Sequence, residues 1–162
     1  MLACRLRPRK AIILQDPEDI ACWQRLDART TTSGRLSPPD PQRLAAIGVA
    51  RVINLALPHS PGALADEAAL VAAAGMDYVH VPVRFDAPRE ADYAAFVAAY
   101  EADSLPVHVH CIMNWRVSAF FYRYNRARGM AEAEAHALME RQWRPEDSEH
   151  RVWADFIKGE NG

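Results

Sequence analysis

Three short runs of β-branched and apolar residues recur along the chain: Arg51 to Leu57 (RVINLAL), Tyr78 to Val83 (YVHVPV) and Val107 to Cys111 (VHVHC). RVINLAL is nearly continuous in apolar content, the pattern of a strand covered on both faces of a sheet. Between the runs lie segments of helical period. Leu64, Ala68, Val71 and Ala72 mark one face of a helix over Leu64 to Ala74, which Gly75 stops. Tyr93, Phe96, Val97 and Tyr100 fall at i, i+3, i+4 and i+7. This alternation predicts an α/β fold, a mainly parallel central sheet flanked by helices in three layers. Its functional loops belong at the carboxyl ends of the strands.

The flanks add shorter elements. Asp16-Pro17 pairs an N-cap residue with proline at the first helical position, and Ile20, Trp23 and Gln24 extend a short helix or turn to about Leu26. Thr30 to Pro41, punctuated by Gly34, Pro38 and Pro39, reads as loop. A short helix around Leu44 and Ile47 ends at Gly48. After Gly129, a helix over Met130 to Trp143 carries Ala131, Ala135, Leu138 and Met139 on one stripe. Ser148 is placed to cap a last helix bearing Val152, Trp153, Phe156 and Ile157. A length of 162 residues suits a single domain over 16–162, with 1–15 as a flexible N-terminal arm.

Composition narrows the partners. Half the residues are hydrophobic and the formal net charge is −2, so no basic face points to nucleic acid. The basic start MLACRLRPRK lacks the apolar stretch of a signal peptide, and no later segment has the length of a membrane span, so no membrane partner is expected. Cys4, Cys22 and Cys111 form neither an even set nor a closely spaced metal-type pair, which predicts a reducing, cytoplasmic setting.

The chemistry concentrates in Pro106 to Arg126, PVHVHCIMNWRVSAFFYRYNR. A strand that ends in a cysteine and turns into a helix directs loop amides at one point, where the helix dipole also favours negative charge. Cys111 stands at that mouth, and the amides of Ile112 through Val117, the helix N-terminus and Arg116 all favour its thiolate. Arg116 brings a planar two-pronged donor suited to a tetrahedral oxyanion. The nest is expected to take oxyanions such as phosphate, sulfate or vanadate.

His110-Cys111 at a strand end, then Arg116 and a buried helix, resembles the signature loop of the cysteine-dependent phosphatases, in particular their bacterial dual-specificity-like branch. Ser33-Gly34 before a short helix, a Gly and a strand is similar to the lead-in of that group, and the resemblance spans roughly residues 17 to 157. The loop departs from the family pattern. Four residues separate Cys111 from Arg116 where the family has five, Asn114 stands in place of Gly, and Val117 in place of the hydroxyl residue that follows Arg. Asn tolerates a left-handed backbone better than other non-glycine residues.

The resemblance implies a phosphatase of phosphorylated proteins or small molecules, working through a phosphocysteine without cofactor or metal. It also implies roles: Cys111 as nucleophile, Arg116 as clamp, Ile112, Met113, Asn114, Trp115, Arg116 and Val117 around the phosphate, and His110 orienting the cysteine region. Ser118, one place late, either bonds the thiolate or only ends the loop. Trp115 is a pocket wall or packs beneath the loop. Asp86, between YVHVPV and a Pro-led helix, is either the general acid or a helix-capping aspartate. His108 and His110 share a strand face, but His80 lies on another strand with no spacing motif, and no metal is expected. Two other readings remain open. A rhodanese-like sulfurtransferase has a loop of about this length, and a phosphate-binding module would keep the nest without turnover.

Overall fold

The computed structural model describes residues 14–159. Most of the expected N-terminal arm, with Cys4, lies outside the described residues.

Five strands form one sheet: β1 Gln24–Arg25, β2 Thr30–Ser33, β3 Arg51–Asn54, β4 Asp77–His80 and β5 Val107–His110. Their order is β1-β2-β5-β3-β4, antiparallel only between β1 and β2. The mainly parallel α/β sheet expected from the alternation is therefore present. β5 lies between β2 and β3, so its backbone is paired on both edges, and with packed residues on both sheet faces all four of its side chains are buried. Alternation along the strand decides what each face receives. Val107 and Val109 enter one core, while His108 and His110 point to the other face.

Six α-helices cover the sheet: α1 Asp40–Ala46, α2 Glu67–Ala73, α3 Glu90–Tyr100, α4 Trp115–Ala127, α5 Glu132–Glu140 and α6 Arg151–Phe156. Leu44 of α1 and Val71 of α2 pack with Val52 on one face. Phe96 and Tyr100 of α3, Phe120 and Phe121 of α4, Met139 of α5 and Trp153 of α6 pack with Ile53 and Val109 on the other. Among the described residues, no helix is long and apolar enough to cross a membrane.

Of the short helix or turn expected after Asp16-Pro17, the chain takes the turn, and the segment ends in the two-residue β1 rather than continuing to Leu26. One sequence expectation is corrected. Thr30 to Ser33, expected as loop, is a fully buried strand paired in parallel with β5. The strand tolerates four polar residues because their hydroxyls find partners. Thr30 bonds the Tyr100 hydroxyl at 2.6 Å, Thr31 and Ser33 bond the two ring nitrogens of His108 at 2.8 Å each, and Thr32 donates to the Gln24 carbonyl at 3.2 Å. Asp92, in the first turn of α3, is buried and accepts the Arg89 amide at 3.1 Å and the Arg89 guanidinium at 2.7 Å. Ser148 stands ahead of α6, its hydroxyl donating to the Pro145 carbonyl at 2.8 Å and accepting the His150 amide at 3.1 Å.

Candidate active site

Because β2, β3, β4 and β5 run in parallel, the loops that follow them gather at one edge of the sheet. Cys111 leaves the end of β5 and is 1% exposed. Two hydrogen bonds pin the next two peptides. His110 Nδ1 meets the Cys111 carbonyl at 3.1 Å, and because a carbonyl only accepts, Nδ1 carries the proton. The Arg35 amide donates to the Ile112 carbonyl at 2.9 Å. These peptides are trans, so each N–H points opposite to its carbonyl. The Ile112 and Met113 amides consequently face the other side of the loop. Neither they nor the amides of Asn114, Trp115, Arg116 and Val117 find an acceptor among the described residues. Free donors therefore gather at the start of α4, where the helix dipole also favours negative charge.

Asn114 turns the loop into the helix with φ 62°, the left-handed conformation. Its side chain is buried, and Nδ2 donates to the Cys22 carbonyl at 2.9 Å and to Thr32 Oγ1 at 3.0 Å. Gly34 is required beside it. A Cβ there would lie 2.5 Å from the Ile112 carbonyl oxygen, inside van der Waals contact, so only glycine lets this loop sit against β2.

Arg116, in the first turn of α4, is 7% exposed. Its Nη1 donates to the Val83 carbonyl at 3.0 Å, and its guanidinium carbon lies 5.9 Å from the Phe85 ring centroid. No described carboxylate pairs with it, which leaves its remaining donors to a bound anion. A pocket of about 320 Å³ opens in front of Cys111 and Arg116. Ile112, Met113 and Trp115 line it from the signature loop, Leu57, Ser60 and Pro61 from the loop after β3, and Phe85 from the loop after β4. The volume suits a small phosphorylated group, and the walls are chiefly apolar. Of its two expected roles Trp115 takes the pocket wall, and its ring stacks on Trp143 at 4.9 Å, 2° from parallel.

Other candidates fall elsewhere. Val117 contributes its free amide while its side chain is buried in the core. The Ser118 hydroxyl donates to the Trp115 carbonyl at 3.0 Å, one turn back, rather than reaching toward the thiol. Asp86 does not line the pocket. It is an exposed carboxylate held by Arg84 Nε at 3.0 Å and Nη2 at 2.8 Å, and this hydrogen-bonded pairing lowers its pKa below the usual aspartate value. Asp86 caps no helix; at the start of α3 the Arg89 amide donates to Asp92 instead.

His108 is fully buried, and burial above all, with the charge of His110 second, holds its pKa well below the ordinary histidine value. His80 donates through Nε2 to the Ala56 carbonyl at 2.6 Å. Among the described residues, no group of three His, Cys, Asp or Glu side chains is placed to hold a metal ion.

Sequence reasoning missed Glu67, whose carboxylate lies 3.0 Å from His110 Nε2 with both side chains buried. Position 67 sits in an amphipathic helical run and looks like any charged helix residue. It also missed the Arg35 amide, whose role depends on β2, itself unread.

Residues 24–127 match the profile of the family described as beta-lactamase hydrolase-like protein, phosphatase-like domain, and the chain belongs to this family. A protein from Shewanella putrefaciens CN-32, described as a candidate phosphatase (DUF442), is 32% identical in sequence, with a TM-score of 0.77 over 87% of this chain and 89% of that one. TpbA of P. aeruginosa, solved in complex with pTyr, is 18% identical, with a TM-score of 0.69 over 95% of this chain and 93% of that one. The core catalytic domain of the S. cerevisiae PP-IP phosphatase SIW14, solved with citrate, is 11% identical, with a TM-score of 0.69 over 86% of each chain. These last two share the fold. No curated protein sequence matches the chain.

Proposed function

We propose that this protein is a cysteine-dependent phosphatase that hydrolyses phosphate monoesters through a phosphocysteine. The observation that carries the reading is the joint placement of Cys111, the buried Arg116 guanidinium and the acceptor-free amides of the loop between them beside one pocket. The Cys111 thiolate attacks phosphorus, forming the S–P bond as the bond from phosphorus to the leaving oxygen breaks. Arg116 and the loop amides hold the equatorial oxygens, whose charge they meet with donors already in place. Water then attacks the phosphocysteine, the S–P bond breaks, and phosphate leaves with the thiolate restored. The apolar walls formed by Leu57, Phe85, Met113 and Trp115 favour a substrate with an apolar or aryl group next to its phosphate. Such a group can belong to a phosphorylated protein or a small molecule.

Asp86 is assigned as the donor of the leaving-group proton after its carboxylate parts from Arg84. Support comes from position: Phe85 beside it forms the pocket wall, while the pocket lining itself contains no carboxyl group. The sign of the pH dependence follows. Arg84 lowers the Asp86 pKa, so the protonated acid is lost as pH rises through a depressed value. Arg84→Ala is expected to shift that limb of the kcat profile to higher pH, and Asp86→Asn to remove it.

The test is steady-state hydrolysis of p-nitrophenyl phosphate across pH with orthovanadate as inhibitor. Vanadate-sensitive turnover is expected. Thiosulfate-dependent cyanide sulfuration in its place would identify the short-loop sulfurtransferase, and phosphate binding with neither activity would identify a binding module.

A further inference from the structure

The first residue of α2 carries a carboxylate that packing alone does not explain. Glu67 is 6% exposed, at the edge of the core in which Val71 of the same helix meets Val52. Burying a carboxylate without a partner costs several kcal/mol, whereas an apolar side chain would fill the same space at no such cost. Its partner is His110, at 3.0 Å. The other groups around this contact are largely occupied with one another. Asn54 donates to the Tyr78 hydroxyl at 3.1 Å and accepts the Ala56 amide at 2.8 Å. The Tyr78 pKa is pushed up to about 12, by burial first and with the charge of Glu67 adding to it, so Tyr78 stays neutral. His108 stacks 6.2 Å from the His110 ring, but both its nitrogens are committed to Thr31 and Ser33.

The geometry around His110 leaves little freedom. Nδ1 must carry a proton to bond the Cys111 carbonyl, and Nε2 lies 3.0 Å from a Glu67 carboxylate oxygen, so the ring is held at both nitrogens. An imidazole tethered at both nitrogens cannot flip or tilt. We propose that Glu67 is a positioning residue: it locks the His110 ring, which holds the Cys111 carbonyl outward and thereby aims the Ile112 amide at the oxyanion in the pocket. Glu67 touches neither substrate nor thiol. It acts through a chain of two hydrogen bonds across the sheet face opposite Cys111. The inference rests on the phosphatase reading for its kinetic test, although the orientation it describes also governs simple anion binding.

The test compares Glu67→Met, which keeps length and packing but removes the acceptor, with Glu67→Gln, whose amide can still bond Nε2. Removing an oxyanion donor outright costs on the order of 10²–10³ in kcat, and a misaimed donor is expected to cost about 10- to 100-fold. For Glu67→Met, kcat on p-nitrophenyl phosphate should fall by that factor while KM moves by less than about threefold. Inhibition by orthovanadate should weaken in parallel, and Glu67→Gln should recover turnover to within about fivefold of the parent.

A purely structural carboxylate would give another pattern. Thermal stability would drop in Glu67→Met, yet kcat per folded molecule and vanadate inhibition would match the parent, and that result overturns the proposal. Glu67→Leu replaces Glu67→Met if the latter does not fold, with the same outcomes. If the parent shows no turnover, the phosphatase reading fails separately. Phosphate titration followed by tryptophan fluorescence then decides: weakened binding in Glu67→Met, restored in Glu67→Gln, supports the proposal, and equal binding in all three overturns it.

Discussion

Cys111→Ser is expected to reduce turnover by ~10⁴-fold or more while leaving phosphate binding in place. The two effects separate because different atoms carry them. A serine hydroxyl does not ionise near neutral pH and is a far weaker nucleophile than a thiolate, so the S–P bond has no replacement. The anion, by contrast, is held by Arg116 and by amides whose directions are set by His110 and Arg35. Because Cys111 is 1% exposed and Ser differs from it by one atom of similar reach, the fold should accept the change. Turnover is read with p-nitrophenyl phosphate, and binding by phosphate titration of tryptophan fluorescence, with Trp115 in the pocket wall. Retained turnover would remove Cys111 from the chemistry, and loss of binding in a folded variant would show that the amides are not the anion's principal partners.

Trp153→Ala is expected to destabilise the fold by about 3–5 kcal/mol, the range for emptying a large aromatic site in a core. Trp153 is fully buried, with its ring 5.7 Å from Phe85, 6.0 Å from Phe120 and 6.0 Å from Trp143 by centroid. Its indole Nε1 donates to the Phe85 carbonyl at 2.7 Å. That bond ties α6 to the loop that carries the pocket wall and Asp86. In a chain of this size the loss corresponds to roughly 10–15 °C in melting temperature. Trp153→Phe should restore most of the packing but not the bond to Phe85, costing about 1 kcal/mol or somewhat more. Thermal unfolding of both variants checks this, and a change below about 1 kcal/mol in Trp153→Ala would contradict it.

The legible parts of the sequence were those governed by local pattern. Apolar runs at Arg51, Tyr78 and Val107 located β3, β4 and β5, although the strands end earlier than the apolar content does, with Leu55, Ala56, Val81 and Val83 buried beyond them. Period 3.6 located α3, and the strand–Cys–loop–helix order located the nest. β2 was illegible because four hydroxyl residues in a row carry no hydrophobic signal. What stabilises them is distant in sequence, the hydroxyl of Tyr100 and the ring of His108. The choice of turn over helix after Asp16-Pro17 was hidden for the same kind of reason. Asp16 is drawn into a pair with Arg25 on β1, at 2.6 Å, instead of capping a helix. Within the candidate site, residue types and order singled out Cys111, Arg116 and the loop, which the fold brings to one pocket, and the left-handed turn fell at Asn114. Glu67 could not be found, since its meaning lies in burial against His110. The pairing of Asp86 with Arg84, two residues away, lay within reach of sequence reasoning, but the helix that follows made a capping aspartate the competing pattern.

The central claim, a covalent phosphocysteine at Cys111, is tested most directly by rapid acid quench of the protein with an aryl phosphate, followed by peptide mass analysis. The account predicts a phosphoryl group on the peptide containing Cys111, absent when Cys111 is replaced by Ser. Turnover with the label missing from that peptide, or sulfur found on Cys111 after thiosulfate where no phosphoryl group forms, would contradict it.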